Sequence, residues 1–244
     1  NYFRQARSRK GVIGLTKILP IVIGALFWAW MTEASTYGKY GIHKQSPINY
    51  IPYFMLILTL VIPVALRQSY NDTGSYIRGF VTALPLDQFL ASDELHILKN
   101  PLFYLYESLI RTYTDNYLYF FILPAFFVQH SYVRFIRRHS SSFFIGIGLY
   151  FFLGTYTFSL AAMKQTIAMA ILLYAVDALI ERKNIRFYLL VFTAFLVHTY
   201  ALMFLILPLF TVKPWSPRSF LILFATFFVM TNFDSLLSAF IEFA

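Results

Sequence analysis

The feature that most constrains this chain is the recurrence of apolar runs of roughly 17 to 25 residues, the length an α-helix needs to cross about 30 Å of hydrocarbon. They fall at about 12–31, 50–66, 115–135, 141–158, 160–180, 187–211 and 219–241. Hydrophobic residues make up 59% of the chain and charged residues 13%, against about half and a quarter in a soluble domain, so water is not its main solvent. No stretch alternates apolar and polar residues as a barrel strand does, which excludes a transmembrane β-barrel. The expectation is an all-α polytopic bundle of about six to eight spans, a single transmembrane domain over residues 1–244.

The chain opens at Asn1 and ends inside an apolar stretch, and so reads as a fragment. Without cysteine it has no disulfide framework, thiol catalysis or thiolate metal site. Its net charge of +9 sits in short clusters flanking the spans, the pattern of membrane orientation and not of nucleic-acid binding. Arg134, Arg137 and Arg138 follow one apolar segment and Arg182, Lys183 and Arg186 another. Placing both clusters on the cytoplasmic side makes 141–180 an outward and returning pair, turning at 156–161. The polar stretch 67–116 is then extracytoplasmic. The Arg4, Arg7, Arg9 and Lys10 cluster contradicts this arrangement if 12–31 is a simple span: either an upstream helix changes the count or 12–31 does not cross fully. Lys213 and Arg218 pose a similar choice for 187–211, one long span or two half-helices meeting near His198.

Within the external stretch, 101–113 carries a helical signature. Asn100 suits an N-cap, Pro101 the first helical position, and Glu107 with Arg111 an i,i+4 pair. Leu102, Leu105, Tyr106, Leu109, Ile110 and Tyr113 form an apolar face. Some 18 Å of helix is too short to span, so it should lie in the outer interface as a wall or floor.

Ionisable residues at a membrane are costly and need a reason. Arg67, Asp72, Tyr76 and Arg78 lie at and beyond the outer end of 50–66. They read as snorkelling arginines and a turn, or as an anion site, because guanidinium groups match phosphate oxygens. Lys164 and Gln165 stand roughly 24 Å above the inner end of 160–180. Lys164 either snorkels or points into the bundle beside the small residues Ala162, Thr166 and Ala170, where it needs an anionic partner. His198, about 18 Å above Arg186, is either a helix–helix hydrogen-bonding residue or a proton acceptor near neutral pH. All three groups converge on the external leaflet. No His-Glu-x-x-His, P-loop, Gly-x-Ser-x-Gly or dinucleotide pattern occurs, so no metal or cofactor is expected and the donor should be already activated. Gly146 and Gly148 are most simply helix packing.

Arg67 to Tyr76, Asn100-Pro101-Leu102-Phe103, Gly154-Thr155-Tyr156-Thr157 leading to Met163-Lys164-Gln165, and Ala194-Phe-Leu-Val-His198-Thr-Tyr200-Ala201 together resemble the EpsG family, similar to Wzy-type polysaccharide polymerases. The resemblance covers about residues 55–212. The family more often has Arg where this chain has Lys164, and Ser where it has Thr199. It implies a GT-C-like glycosyltransferase of the bacterial cytoplasmic membrane, polymerising polyprenyl-diphosphate-linked repeat units of O-antigen, capsule or exopolysaccharide at the outer face, alongside flippase and chain-length-regulating proteins. On that reading Arg67, Arg78 and Lys164 hold the diphosphate, His198 or Asp72 is the base, with His198 favoured because a carboxylate beside arginines is a weaker base, and Tyr76, Gln165 and Tyr200 orient substrate. The alternatives are a flippase for the same lipid-linked glycan, which should show inverted repeats, or a glycan ligase.

Overall fold

A computed structural model describes residues 15–40, 49–92, 100–211, 215–232, 235, 236 and 238, and every described element is helical. In chain order these are α1 (Leu15–Tyr40), α2 (Tyr50–Ala65), α3 (Thr73–Thr82), α4 (Leu86–Ala91), α5 (Pro101–Tyr113), α6 (Tyr117–His139), α7 (Phe143–Phe152), α8 (Thr155–Ala161), α9 (Met163–Ile180) and α10 (Asn184–Val197). A 3-10 helix, Thr199–Thr211, and α11, Pro217–Thr231, follow. The Arg4 to Lys10 cluster and Lys213 lie outside the described residues.

Among the described residues two helices are long and apolar enough to cross a membrane on their own, α1 through Ile18–Thr36 and α9. The pair α7 and α8, bent by 52°, makes a third if counted as one span. The bend has a local cause: Gly154 takes φ +74, a conformation open to glycine at little cost. α2, α10 and the 3-10 helix are apolar but shorter, and α6 carries Gln129, His130 and Ser131 near its middle. A count of six to eight requires these shorter or more polar helices to cross as well.

Contacts fix the direction of each helix. α6 and α9 run parallel, because Arg134 Nη2 meets Asp177 Oδ2 at 2.7 Å and Arg138 Nη2 meets Glu181 Oε1 at 2.5 Å, all near the helix C-termini. Lys183 joins Glu181 at 2.6 Å. Both basic clusters flagged in the sequence therefore gather at one end of the bundle, here the basic end. Glu33, late in α1, reaches the same end, where its carboxylate accepts from Ser142 Oγ at 3.0 Å and from the Phe144 N–H. A carboxylate at a helix N-terminus offsets the positive end of the dipole. The described part of α1 thus runs the length of the bundle, and α2 returns beside it.

α1, α2, α6, α7 and α8 share a core that includes Leu56, Leu60, Val133, Ile147 and Tyr156, while α9 packs closely on α10. Helix approach is tight where Gly146 of α7 meets α6: a Cβ there would stand 2.4 Å from Ile136 Cγ2. The turn expected at 156–161 is not a surface loop but the short helix α8, with Tyr156, Ser159 and Leu160 buried. The Tyr156 hydroxyl donates to the Leu60 carbonyl at 3.3 Å, which ties this short helix to α2.

Opposite the basic end, α3, α4 and α5 form a cap over the first turns of α6 and α9. It is cemented by Phe80, Phe103, Phe120, Phe121 and Met163. Phe80 stacks on Phe120 at 5.0 Å between centroids and Phe103 meets Phe120 edge-on at 5.8 Å, pairs worth about 0.5–1.5 kcal/mol each beyond area burial.

Candidate functional site at the capped end

The cap brings together most of the residues singled out in the sequence. Lys164 stands in the first turn of α9, half-buried. Its ammonium donates to the Tyr104 hydroxyl at 2.9 Å and lies 4.2 Å from the Tyr104 ring centroid and 4.6 Å from that of Phe103. Aromatic faces attract a cation through their quadrupole. Among the described residues no carboxylate stands within ion-pairing distance of it, so the anionic partner expected from the sequence is replaced by two rings and a phenol. Ala162, Thr166 and Ala170 are buried as expected of a packing face.

Tyr76 lies beneath, its hydroxyl accepting from the Lys164 backbone N–H at 3.4 Å. Burial pushes the phenol up, and Asp72 and Arg67 are both within electrostatic reach of it. Arg67 itself is 93% buried, since 7% of its surface is exposed. One of its nitrogens, Nη1, donates to the Val64 carbonyl at 3.1 Å and to that of Ser159 at 3.5 Å, and its guanidinium lies 4.6 Å from the Phe121 ring centroid. Among the described residues Nε and Nη2 have no hydrogen-bond partner. Arg67 lines a cavity of about 10 Å³ together with Val64, Phe121, Ser159 and Thr166, room for about one water and not for a phosphate. Burial lowers the Arg67 pKa to about 10, with the Tyr76 phenol opposing, and the group stays charged at neutral pH.

His198 marks a break. α10 ends at Val197, His198 is extended at φ −156 and ψ 119, and the 3-10 helix begins at Thr199. The two-piece alternative for 187–211 is the one found. Asn100 holds the break in place: its Oδ1 accepts from the Thr199 N–H at 3.3 Å. Its side chain therefore does not cap α5, as the sequence suggested, and its backbone is left-handed at φ 56. Asn and Asp tolerate that conformation better than most residues. The His198 ring lies 5.4 Å from the half-exposed Tyr200 ring and within electrostatic reach of Lys164.

Three expected residues stand further out. Asp72 is exposed at the N-cap position of α3 and makes no side-chain cap. Arg78 is exposed and donates to Ser75 Oγ at 3.2 Å. Gln165 is half-buried beside Lys164. α5 occupies the span expected of it, yet its faces differ from the expectation. Leu102, Leu105, Tyr106 and Leu109 line an apolar groove of about 330 Å³ shared with Ile167, Ile171 and Val197. The face turned into the cap is centred roughly a third of a turn away; Glu107 lies on it, and Phe103 sits at the boundary, buried yet also lining the groove. The Glu107–Arg111 pair does not form, because Arg111 reaches Asp115 instead. The sequence reading missed Tyr104, an unremarked residue next to the quoted Phe103, and the burial of Glu107.

The model of the EpsG family matches residues 50–244, which is four-fifths of the chain and includes the whole cap. The chain belongs to the EpsG family. Members of the EpsG family are Wzy-like polysaccharide polymerases. No curated protein and no solved structure matches the chain. Within this EpsG-family member the four stretches that carried the resemblance meet at one place: Arg67 to Tyr76 under Lys164, Phe103 beside it, and the Asn100–Thr199 contact alongside.

Proposed function

We propose that this chain is a membrane glycosyltransferase that polymerises polyprenyl-diphosphate-linked oligosaccharides at the extracytoplasmic face of the bacterial cytoplasmic membrane. The observation that carries the reading is an ammonium without a carboxylate partner among the described residues, linked through one ring to an apolar groove: Lys164 lies over Phe103, and Phe103 lines the groove. A lipid diphosphate has the matching parts, a branched apolar chain for the groove and an anion for the cation. The distribution of Arg and Lys supports the orientation, because the positive-inside rule puts the basic end in the cytoplasm. On this reading α2, α6, α10 and the 3-10 helix cross as well as α1, α9 and the bent pair, giving the GT-C-like bundle of six to eight spans over a single domain 1–244, with 67–116 outside.

In the reaction the acceptor hydroxyl loses its proton to a base as its oxygen attacks the anomeric carbon of the donor. The bond to the diphosphate breaks and its electron pair leaves with the diphosphate oxygen. Lys164 stabilises the departing charge, joined by Arg78 from α3. Arg67 contributes field from beneath and holds the 67–76 turn against α2 and α8, since its cavity has no space for phosphate. Stabilising charge that develops at the leaving group is the largest single contribution such a site makes. His198 is favoured over Asp72 as the base because it is half-buried at the break beside Tyr200, whereas Asp72 is solvated. Tyr76, Gln165 and Tyr200 orient sugar and base.

The test is incubation of the purified protein with one defined lipid-linked repeat unit. A ladder of products supports polymerisation, while unchanged substrate or single transfer to a foreign acceptor supports the flippase or ligase. Lys164→Ala and His198→Ala should each lower turnover at least a hundredfold at equal protein level, about 3 kcal/mol of lost transition-state stabilisation. Full-length ladders from both variants would refute the assignment.

A further inference from the structure

The wall behind Lys164 contains a second ionisable group that the reaction as described does not use. Glu107 lies on the inner face of α5, 5% exposed, in a setting of aromatic rings. α3 approaches it closely, because a Cβ on Gly79 would stand 3.2 Å from Glu107 Oε1. Among the described residues no hydrogen bond or ion pair engages its carboxylate. Holding a carboxylate in a largely desolvated position without a partner is costly, and a position needed only for packing is filled at less cost by an apolar side chain. The next turn of the same helix shows the ordinary alternative, where Arg111 and Asp115 pair at the surface.

Lys164 is the charged group that reaches Glu107 electrostatically. The other titratable groups near this end on elements packed against α5 contribute no charge interaction to Glu107. Tyr76 of α3 takes the Lys164 N–H and Arg78 donates to Ser75. Asp87 of α4 is exposed, Tyr117 of α6 belongs to the aromatic cluster, and His198 follows α10. Tyr106 on α5 itself donates to the Phe120 carbonyl at 2.9 Å.

We propose that Glu107 is a positioning residue that acts through Lys164: as a carboxylate it steadies the ammonium over the Tyr104 and Phe103 rings, and when a diphosphate engages that ammonium, Glu107 takes up a proton. The proposal rests on the reading of Lys164 as a diphosphate ligand. One proton moves from solvent to the carboxylate, and no covalent bond between heavy atoms changes. The physical drive is like-charge repulsion: a diphosphate beside Lys164 brings negative charge close to Glu107, which disfavours the ionised carboxyl. Burial already holds that carboxyl up at about 7, with Lys164 pulling it down, so both protonation states are accessible near neutral pH. Neutralising the wall leaves the full lysine charge to the ligand.

The experiment uses the full chain in lipid nanodiscs with farnesyl diphosphate as probe, followed by calorimetry from pH 6 to 9 in two buffers of different ionisation enthalpy. The wild type should take up protons on binding and lose affinity by up to about tenfold per pH unit above 7 relative to Glu107→Gln. Glu107→Gln should bind with that extra slope and uptake both removed, and Glu107→Asp should restore uptake over a shifted pH range. Proton uptake by Glu107→Gln equal to the wild type overturns the inference and leaves the role of Lys164 intact. If the wild type fails to bind, or Lys164→Ala binds equally well, the donor-site reading falls and this inference with it. Should Glu107→Gln fail to fold, Glu107→Asp decides, since an unchanged pH profile in that variant overturns the proposal.

Discussion

Asp177 offers the sharpest test of how the helices are held. Its carboxylate, on a side chain 5% exposed, receives Arg134 at 2.7 Å and His139 at 2.6 Å, with Arg138 at 3.4 Å. Asp177→Ala strips the anion from three basic side chains at once. Removing one partner of a buried ion pair costs about 3–5 kcal/mol. Arg134 is 29% exposed on its side chain and can recover some hydration, so about 3 kcal/mol is expected. Arg134 also loses its best-placed acceptor while one of its nitrogens, Nη1, is already buried without a hydrogen-bond partner among the described residues. Replacing both ends, Asp177→Ala with Arg134→Met, should cost less than the two single changes added together by about 1–2 kcal/mol, because the uncompensated charge is gone. Unfolding in mixed detergent micelles as the denaturing detergent fraction rises measures each corner of this cycle. A loss below about 1 kcal/mol for Asp177→Ala, or no coupling across the cycle, would refute the view that this cluster fastens α6 to α9.

Three further outcomes follow from the geometry. Glu107 has a native pKa of about 7 against an ordinary 4.5. The native state therefore binds the proton more tightly, and the stability this contributes is fully present below about 4.5 and lost as pH rises through about 7. By pH 8 the loss is about 3 kcal/mol at some 1.4 kcal/mol per pH unit. Thermal melts at pH 5 and pH 8 should show the difference, and Glu107→Gln should abolish it. Gly146→Ala places a methyl 2.4 Å from Ile136 Cγ2 and should destabilise by about 1–3 kcal/mol, with Ile136→Ala in the same chain restoring part of the loss in the same melts. Tyr104→Phe removes the acceptor at 2.9 Å from Lys164 but keeps the ring, and polymerisation rate should fall about fivefold, near 1 kcal/mol. Loss of all activity in that variant would mean the phenol does more than hold the lysine.

The α5 helix shows where sequence reading succeeds and where it stops. Its limits follow from local chemistry, proline at the first turn and a three-residue turn before α6, and they are found as expected. Its orientation does not, because an apolar stripe declares that it meets something apolar without saying whether that is protein or lipid. The stripe of Leu102, Leu105 and Leu109 borders the open groove, so Glu107, expected to pair with Arg111 one turn on, turns into the cap. Asn100 was legible as a residue that matters near a helix start, but its partner Thr199 is 99 positions away, and no local pattern encodes that distance. Lys164, Tyr76 and His198 were legible together because each carries a cost that a membrane does not tolerate idly. Arg67 was legible as costly too, whereas its enclosure by Phe121 and Ser159 depends on how α6 and α8 pack around it.

The two ends of α9 are fastened in different ways. At Asp177 it is bolted to α6 by charge, while at Lys164 it meets its neighbours through rings and hydroxyls. Thirteen residues separate the two points, about 20 Å of helix. That makes α9 a lever whose fulcrum is built into the basic end: a tilt of about 5° barely disturbs the bolt but swings the lysine through nearly 2 Å.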